Sequence, residues 1–151
     1  MAAHRPAFIP SVVYRDPPAA LRWLESAFGF EVSEVLVDSA EKIVHAEMSH
    51  GEGVIMVGSE WVDWARSPLS VDGKNTQRIH VRLESGIDEH CERARRAGAQ
   101  IVMEPADQFY GDRTYMAADL DGHHWTFSQP VRQVSRQEIE TVTGFKHRPP
   151  K

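Results

Sequence analysis

Short runs of alternating apolar and polar residues fill most of the chain, interrupted twice by a longer stretch of helical spacing. Residues 8–14 (Phe-Ile-Pro-Ser-Val-Val-Tyr) have the apolar, β-branched content of a strand. Asp16-Pro17-Pro18 then predicts a helix start, because proline is tolerated in the first turn, where an amide has no intrahelical partner. Ala20, Leu21, Leu24, Ala27 and Phe28 follow on one helical face, and Gly29 supplies the stop. Three strand-like runs come next, near 30–37, 42–49 and 54–58, separated by Asp38-Ser39 and Gly51-Glu52-Gly53. The second half opens the same way. Residues 77–84 alternate Ile79, Val81 and Leu83 against Arg78, His80 and Arg82, the pattern of a half-buried strand. A helix over about 87–97 carries Ile87, Cys91 and Ala94 on one face and ends at Gly98, and strands follow near 100–103, 113–119 and 123–128.

The order β-α-β-β-β therefore occurs twice, in module 1 (about 7–60) and module 2 (about 76–129), joined by the polar segment 67–75. Neither module is large enough to close a core alone, so the expectation is a single α+β domain over 1–130 in which the two pair. Residues 131–151 lie outside the repeat. Ser135 with Glu138 makes a capping-box signature for one short helix, followed by a frayed tail.

Composition narrows the function classes. With 17 basic and 22 acidic residues the net charge is −5, and no Lys/Arg-rich run occurs, so a nucleic-acid partner is not expected. The single cysteine, Cys91, cannot form an intramolecular disulfide, which suits a reducing compartment. No apolar run approaches the roughly 18 residues of a membrane span, and the N-terminus lacks a signal-peptide core, so the expected location is the cytoplasm. No G-x-S-x-G, P-loop or G-x-G-x-x-G pattern occurs, which removes hydrolase-elbow, NTPase and dinucleotide readings.

The most distinctive segment is Phe109-Tyr110-Gly111-Asp112-Arg113-Thr114-Tyr115, followed by Ala118-Asp119-Leu120-Asp121-Gly122-His123-His124-Trp125. Asp121-Gly122 is a hairpin signal, because glycine accepts the positive φ such turns require. This "YGDR…DxDGHxW" pattern resembles the second half of a vicinal oxygen chelate domain, the glyoxalase/bleomycin-resistance/dioxygenase superfamily, with its nearest likeness in the PhnB-like branch. "DPPAALRWLESAFGFEV", "VHAEMSHGEGVIMV" and "GIDEHCERARRAGAQIV" are similar to further family segments, and the likeness covers roughly residues 8–129. It implies paired βαβββ modules whose mixed sheets curl into a cup. It also implies metal ligands near the start of each module's first strand and a Glu in the last strand. Those places fall on Ile9, Arg78 and Thr126, none of which is a good ligand, so no metal cofactor is expected.

Strand alternation names the residues expected to line the cup: Ser11 on the first strand, Arg78, His80 and Arg82 on the fifth, His124 and Thr126 on the last. Phe109, Tyr110 and Tyr115 are aromatic candidates for stacking on a ligand, and Arg113 for clamping an anionic group, the other reading of Arg113 being a pair with Asp112. Trp61 and Trp64, in the mid-chain loop, either cap the pocket or bury against a partner chain. His45, Glu47, His80 and His124 form an atypical candidate set for a metal. His80 and His124 are also the candidates for a general base. The leading expectation is a metal-independent, homodimeric protein that sequesters a small organic molecule, drug or metabolite. The alternative is an enzyme of the same superfamily: a metal-dependent lyase, isomerase or dioxygenase, or a metal-free enzyme with a histidine base.

Overall fold

The computed structural model describes residues 5–151; the N-terminal residues 1–4, part of the segment lacking a signal-peptide core, lie outside the described residues. Its elements are Ser11–Tyr14 (β1), Pro17–Phe28 (α1), Glu31–Val37 (β2), Ile43–His50 (β3), Gly53–Ser59 (β4), Ile79–Arg82 (β5), Ile87–Arg96 (α2), Gln100–Asp107 (β6), Asp112–Ala118 (β7), His124–Pro130 (β8) and Arg136–Thr143 (α3). A 3-10 turn, Pro68–Val71, sits in the segment between the halves. The doubled β-α-β-β-β order is thus present.

The caps explain the helix limits. The Asp16 carboxylate accepts from the Ala19 amide, and Gly29, at φ +73°, donates its amide to the Glu25 carbonyl. Ser135 and Glu138 close the capping box that starts α3, but no residue of α3 is buried. Strand β6 runs four residues further than its sequence signal, through Pro105. As the outer strand it tolerates a proline, and its register shifts between Ile101 and Ala106 absorb the missing donor.

Each half forms its own four-stranded mixed sheet, ordered β1-β4-β3-β2 and β5-β8-β7-β6, with β1 parallel to β4 and β5 parallel to β8. No closed barrel forms among the described residues: the expected curl is divided between two sheets. The helix-facing sides of both sheets share one core. Val12, Tyr14, Leu24 and Phe28 from the first half meet Cys91, Tyr115, Trp125 and Phe127 from the second. The Phe28 ring lies 4.8 Å from that of Phe127 and 5.7 Å from that of Trp125. Each such side chain contributes about 1.5–3 kcal/mol on burial, so the halves stabilise one another.

A polar corner reinforces that contact. The buried Asp119 carboxylate accepts from the Tyr14 hydroxyl at 2.6 Å, Trp125 Nε1 at 2.9 Å, and the Asp121 and His123 amides at 3.0 Å each. Asp121 accepts the Arg15 amide at 2.8 Å, and His123 Nε2 lies 2.7 Å from the Val13 carbonyl. The "DxDGH" turn therefore ties the β7–β8 hairpin to the end of β1.

Candidate functional site

Alternation leaves the second side of each sheet free of helices, and there the polar residues predicted for the cup collect. On the second sheet, register sets His80 beside Thr126 and Arg82 beside Ser128, with Met116 next to Thr126. His80 Nε2 lies 2.7 Å from the Ser128 hydroxyl, which fixes the ring. On the first sheet, Ser11 sits beside Met56, and Met56 beside Glu47.

A cleft of about 410 Å³ opens where β1 and the start of β5 and β8 approach one another. Ser11 and Val13 form one wall, Arg78, His123 and His124 the other, and the segment after β4 the third, with Trp64 and Lys74 on it. That third wall is anchored. Asn75 donates to the Gly122 carbonyl at 2.9 Å and accepts the His124 amide at 3.1 Å, while the Leu69 amide donates to the Asp121 carbonyl. Glu60 holds the rest of the loop by accepting from the Ser70 hydroxyl and the Ser67 amide, and the Ser70 bond is the main reason its carboxyl falls to about 2. A wider groove of about 950 Å³ runs between the β3–β4 hairpin and β5, past His50, His80 and Arg82.

Donor groups for a metal gather in one place among the described residues, on the first sheet. Glu34, His45 and Glu47 bring ligand atoms within 4.8 Å of one another. Glu47 is the buried member, and both its oxygens are engaged by Arg5, with His45 Nε2 3.1 Å away. The Arg5 bond first, then His45, holds the Glu47 carboxyl below its ordinary range. A guanidinium therefore stands where a cation would bind. His80 and His124 belong to the other sheet, so the four-residue set drawn from the sequence is not assembled. At the positions that the family resemblance assigns to ligands, Ile9 offers no donor, Arg78 a cation and Thr126 one hydroxyl. The residues present do not fit the metal centre of the metal-using relatives.

Other sequence candidates sit elsewhere. Tyr115 points to the opposite side of β7, stacked on Phe127 in the core with its hydroxyl 2.5 Å from His90 Nδ1, so it lines no cup. Arg113 pairs with Asp88 at 2.8 Å and Asp107 at 3.0 Å, not with Asp112, and is not free to clamp an anion. Phe109 and Tyr110 pack edge to face at 5.1 Å on the β6–β7 turn, half exposed and outside both cavities. Cys91 is buried, and burial pushes its thiol up to about 11. Three contributors gave no sequence signal. His90 bridges Tyr115 to the Phe28 carbonyl, Glu34 joins the acidic group from a strand away, and Lys74 enters the cleft from an irregular loop.

The family profile described as Glyoxalase/Bleomycin resistance protein/Dioxygenase superfamily matches residues 8–127, both βαβββ halves. The chain belongs to this superfamily. An uncharacterized protein of Mycobacterium bovis is 30% identical over 141 residues, covering 91% of each chain. The crystal structure of TioX from Micromonospora sp. ML1 shares 30% identity at a TM-score of 0.63, over 82% of this chain and 98% of that one. TnmS3, an antibiotic binding protein from Streptomyces sp. CB03234, shares the fold at 17% identity and a TM-score of 0.64, over 86% of this chain and 99% of its own.

Proposed function

We propose that this superfamily member is a metal-independent small-molecule-binding protein of the PhnB-like branch, acting by sequestration as a cytoplasmic homodimer. The observation that carries the reading is the β1/β5 cleft. It has the volume of a ligand site, roughly 300–1,000 Å³, and its lining mixes apolar side chains such as Val13, Trp64 and Val71 with convergent polar and charged groups. Of the three positions that the family resemblance assigns to ligands, Arg78 lines this cleft, and it is a cation unsuited to a metal. Binding of an antibiotic by TnmS3, which shares the fold, shows that such a scaffold can work as a receptor. No helix among the described residues is long and apolar enough to cross a membrane. A homodimer is supported by the open sheet faces: every residue of β2 is exposed, Val35, Leu36 and Val37 among them, and Val44 beside it.

The test is a thermal-shift screen of natural products and metabolites, with elemental analysis and light scattering on the purified protein. Expected are a saturable rise in Tm with an unmodified ligand recovered, no stoichiometric metal, and a two-chain mass. Chemical conversion of the ligand would refute sequestration, one tightly held divalent ion per chain would refute metal independence, and a monomer would refute the assembly. One observation favours the enzyme reading: the exposed His80 imidazole is oriented by a hydroxyl, as a general base is. Turnover abolished by His80→Gln, with the fold intact, would establish it.

A further inference from the structure

The charges around the β1/β5 cleft do not cancel. Arg66 is neutralised by Glu60 at 3.1 Å and Asp63 at 3.4 Å. Among the described residues, Lys74 and Arg78 make neither a side-chain hydrogen bond nor an ion pair, though the whole protein carries −5. Asp63 is the one acidic residue on the cleft wall, and Arg66 already pairs with it. The backbone that carries the two free cations is anchored. Asn75, bonded to both Gly122 and His124, lies between them on the anchored wall, and Arg78 leads directly into β5.

Trp64 lines the same cleft, with Trp61 packed beside it. Trp64 is 79% exposed and Trp61 71%, their rings edge to face at 5.8 Å. Large aromatic surface left in water is costly, and at 79% exposure Trp64 keeps ring surface available for stacking beside its single aromatic partner. A cleft lined by one exposed indole and two unpaired cations selects for shape and charge together.

Resting on the binding-protein reading above, we propose that this cleft takes a planar aromatic carboxylate, its ring system against Trp64 and its anionic group between Lys74 and Arg78. The guanidinium suits a carboxylate bidentately, and Lys74 adds a compact second charge. A neutral or cationic analogue of the same shape would keep the stacking and lose the ion pairing.

The test uses the full-length protein and three probes: anthracene-2-carboxylate, anthracene-2-carboxamide and 2-(aminomethyl)anthracene. Tryptophan quenching and calorimetry report binding. The carboxylate is expected to bind at least about 10-fold more tightly than the amide, with a margin that shrinks as salt rises. Arg78→Gln with Lys74→Gln is expected to bring the carboxylate down to the amide's affinity, and Trp64→Leu to weaken all three. These positions are exposed, and an unchanged circular dichroism spectrum and Tm confirm folding. Amide or amine binding as tight as the carboxylate overturns the charge assignment. Carboxylate binding insensitive to the double variant places the ligand elsewhere and overturns the site. Silence of all three probes, while other compounds raise Tm in the screen, overturns this inference alone; silence in both overturns the binding-protein reading too.

Discussion

Asp119→Ala removes the acceptor at the corner where the halves meet. It strands the Tyr14 hydroxyl and the Trp125 indole N–H, both on side chains almost without solvent exposure. Each orphaned buried donor costs about 1–3 kcal/mol, and the two turn amides lose a charge-assisted acceptor as well. A total of about 4 kcal/mol follows from these contributions. In a chain of this length each kcal/mol lowers Tm by about 2–4 °C, so a fall of about 8–16 °C is expected. Urea unfolding followed by far-ultraviolet circular dichroism measures the same quantity at 25 °C. Tyr14→Phe sharpens the test. Alone it removes one hydrogen bond and costs about 1–3 kcal/mol. Combined with Asp119→Ala it removes a stranded hydroxyl, so it should be neutral or stabilising. A loss below about 1 kcal/mol for Asp119→Ala, or additivity of the pair within about 0.5 kcal/mol, would refute the corner as a source of stability.

Three further outcomes follow from buried groups. Burial holds the His90 imidazole below its ordinary 6.5, so the unfolded chain takes up a proton that the folded one refuses. Its contribution is intact above that pH and is lost as pH falls through it; the urea midpoint should drop between pH 7.5 and 5.5, with a shallower slope in His90→Gln. With its thiol at about 11, Cys91 should resist Ellman's reagent at pH 8 until the chain unfolds, and immediate labelling would contradict its burial. In Gly111→Ala the added Cβ would collide with the Arg132 carbonyl oxygen on a backbone at φ +99°. It should cost about 1–3 kcal/mol and hasten trypsin cleavage after Arg132; an unchanged Tm would show that the turn yields.

The repeat was legible because its signals are local. Asp16 and Gly29 bound the first helix, Ile79 and Val81 alternate with His80 and Arg82, and each strand appeared within a few residues of its place. The paired side chains were not. Tyr115 looked like a companion of Phe109 and Tyr110 by adjacency, yet its pleat sends it to the side of Phe127. The acceptors of the DxDGH turn serve residues 105 and 106 positions away, a separation that no short pattern encodes. His45 and Glu47 share a face, as spacing two requires, but Arg5 arrives from outside the repeat. Of the cleft, Ser11, Arg78 and His124 were legible from alternation. Lys74 lies in irregular chain, where periodicity says nothing.

The β7–β8 turn breaks the symmetry of the duplicated fold. Its counterpart in the first half, at Gly51 and Gly53, carries no pair of aspartates reaching into the other module. The two-module fold thus carries a one-sided latch: the Asp119 and Asp121 carboxylates of the second half accept from Tyr14 and Arg15 of the first, and His123 of the second donates to the Val13 carbonyl. The same latch anchors the Asn75 wall of the cleft. Swapping the order of the halves by circular permutation should preserve the latch, whereas replacing the second half with a copy of the first should abolish both the union and the pocket wall.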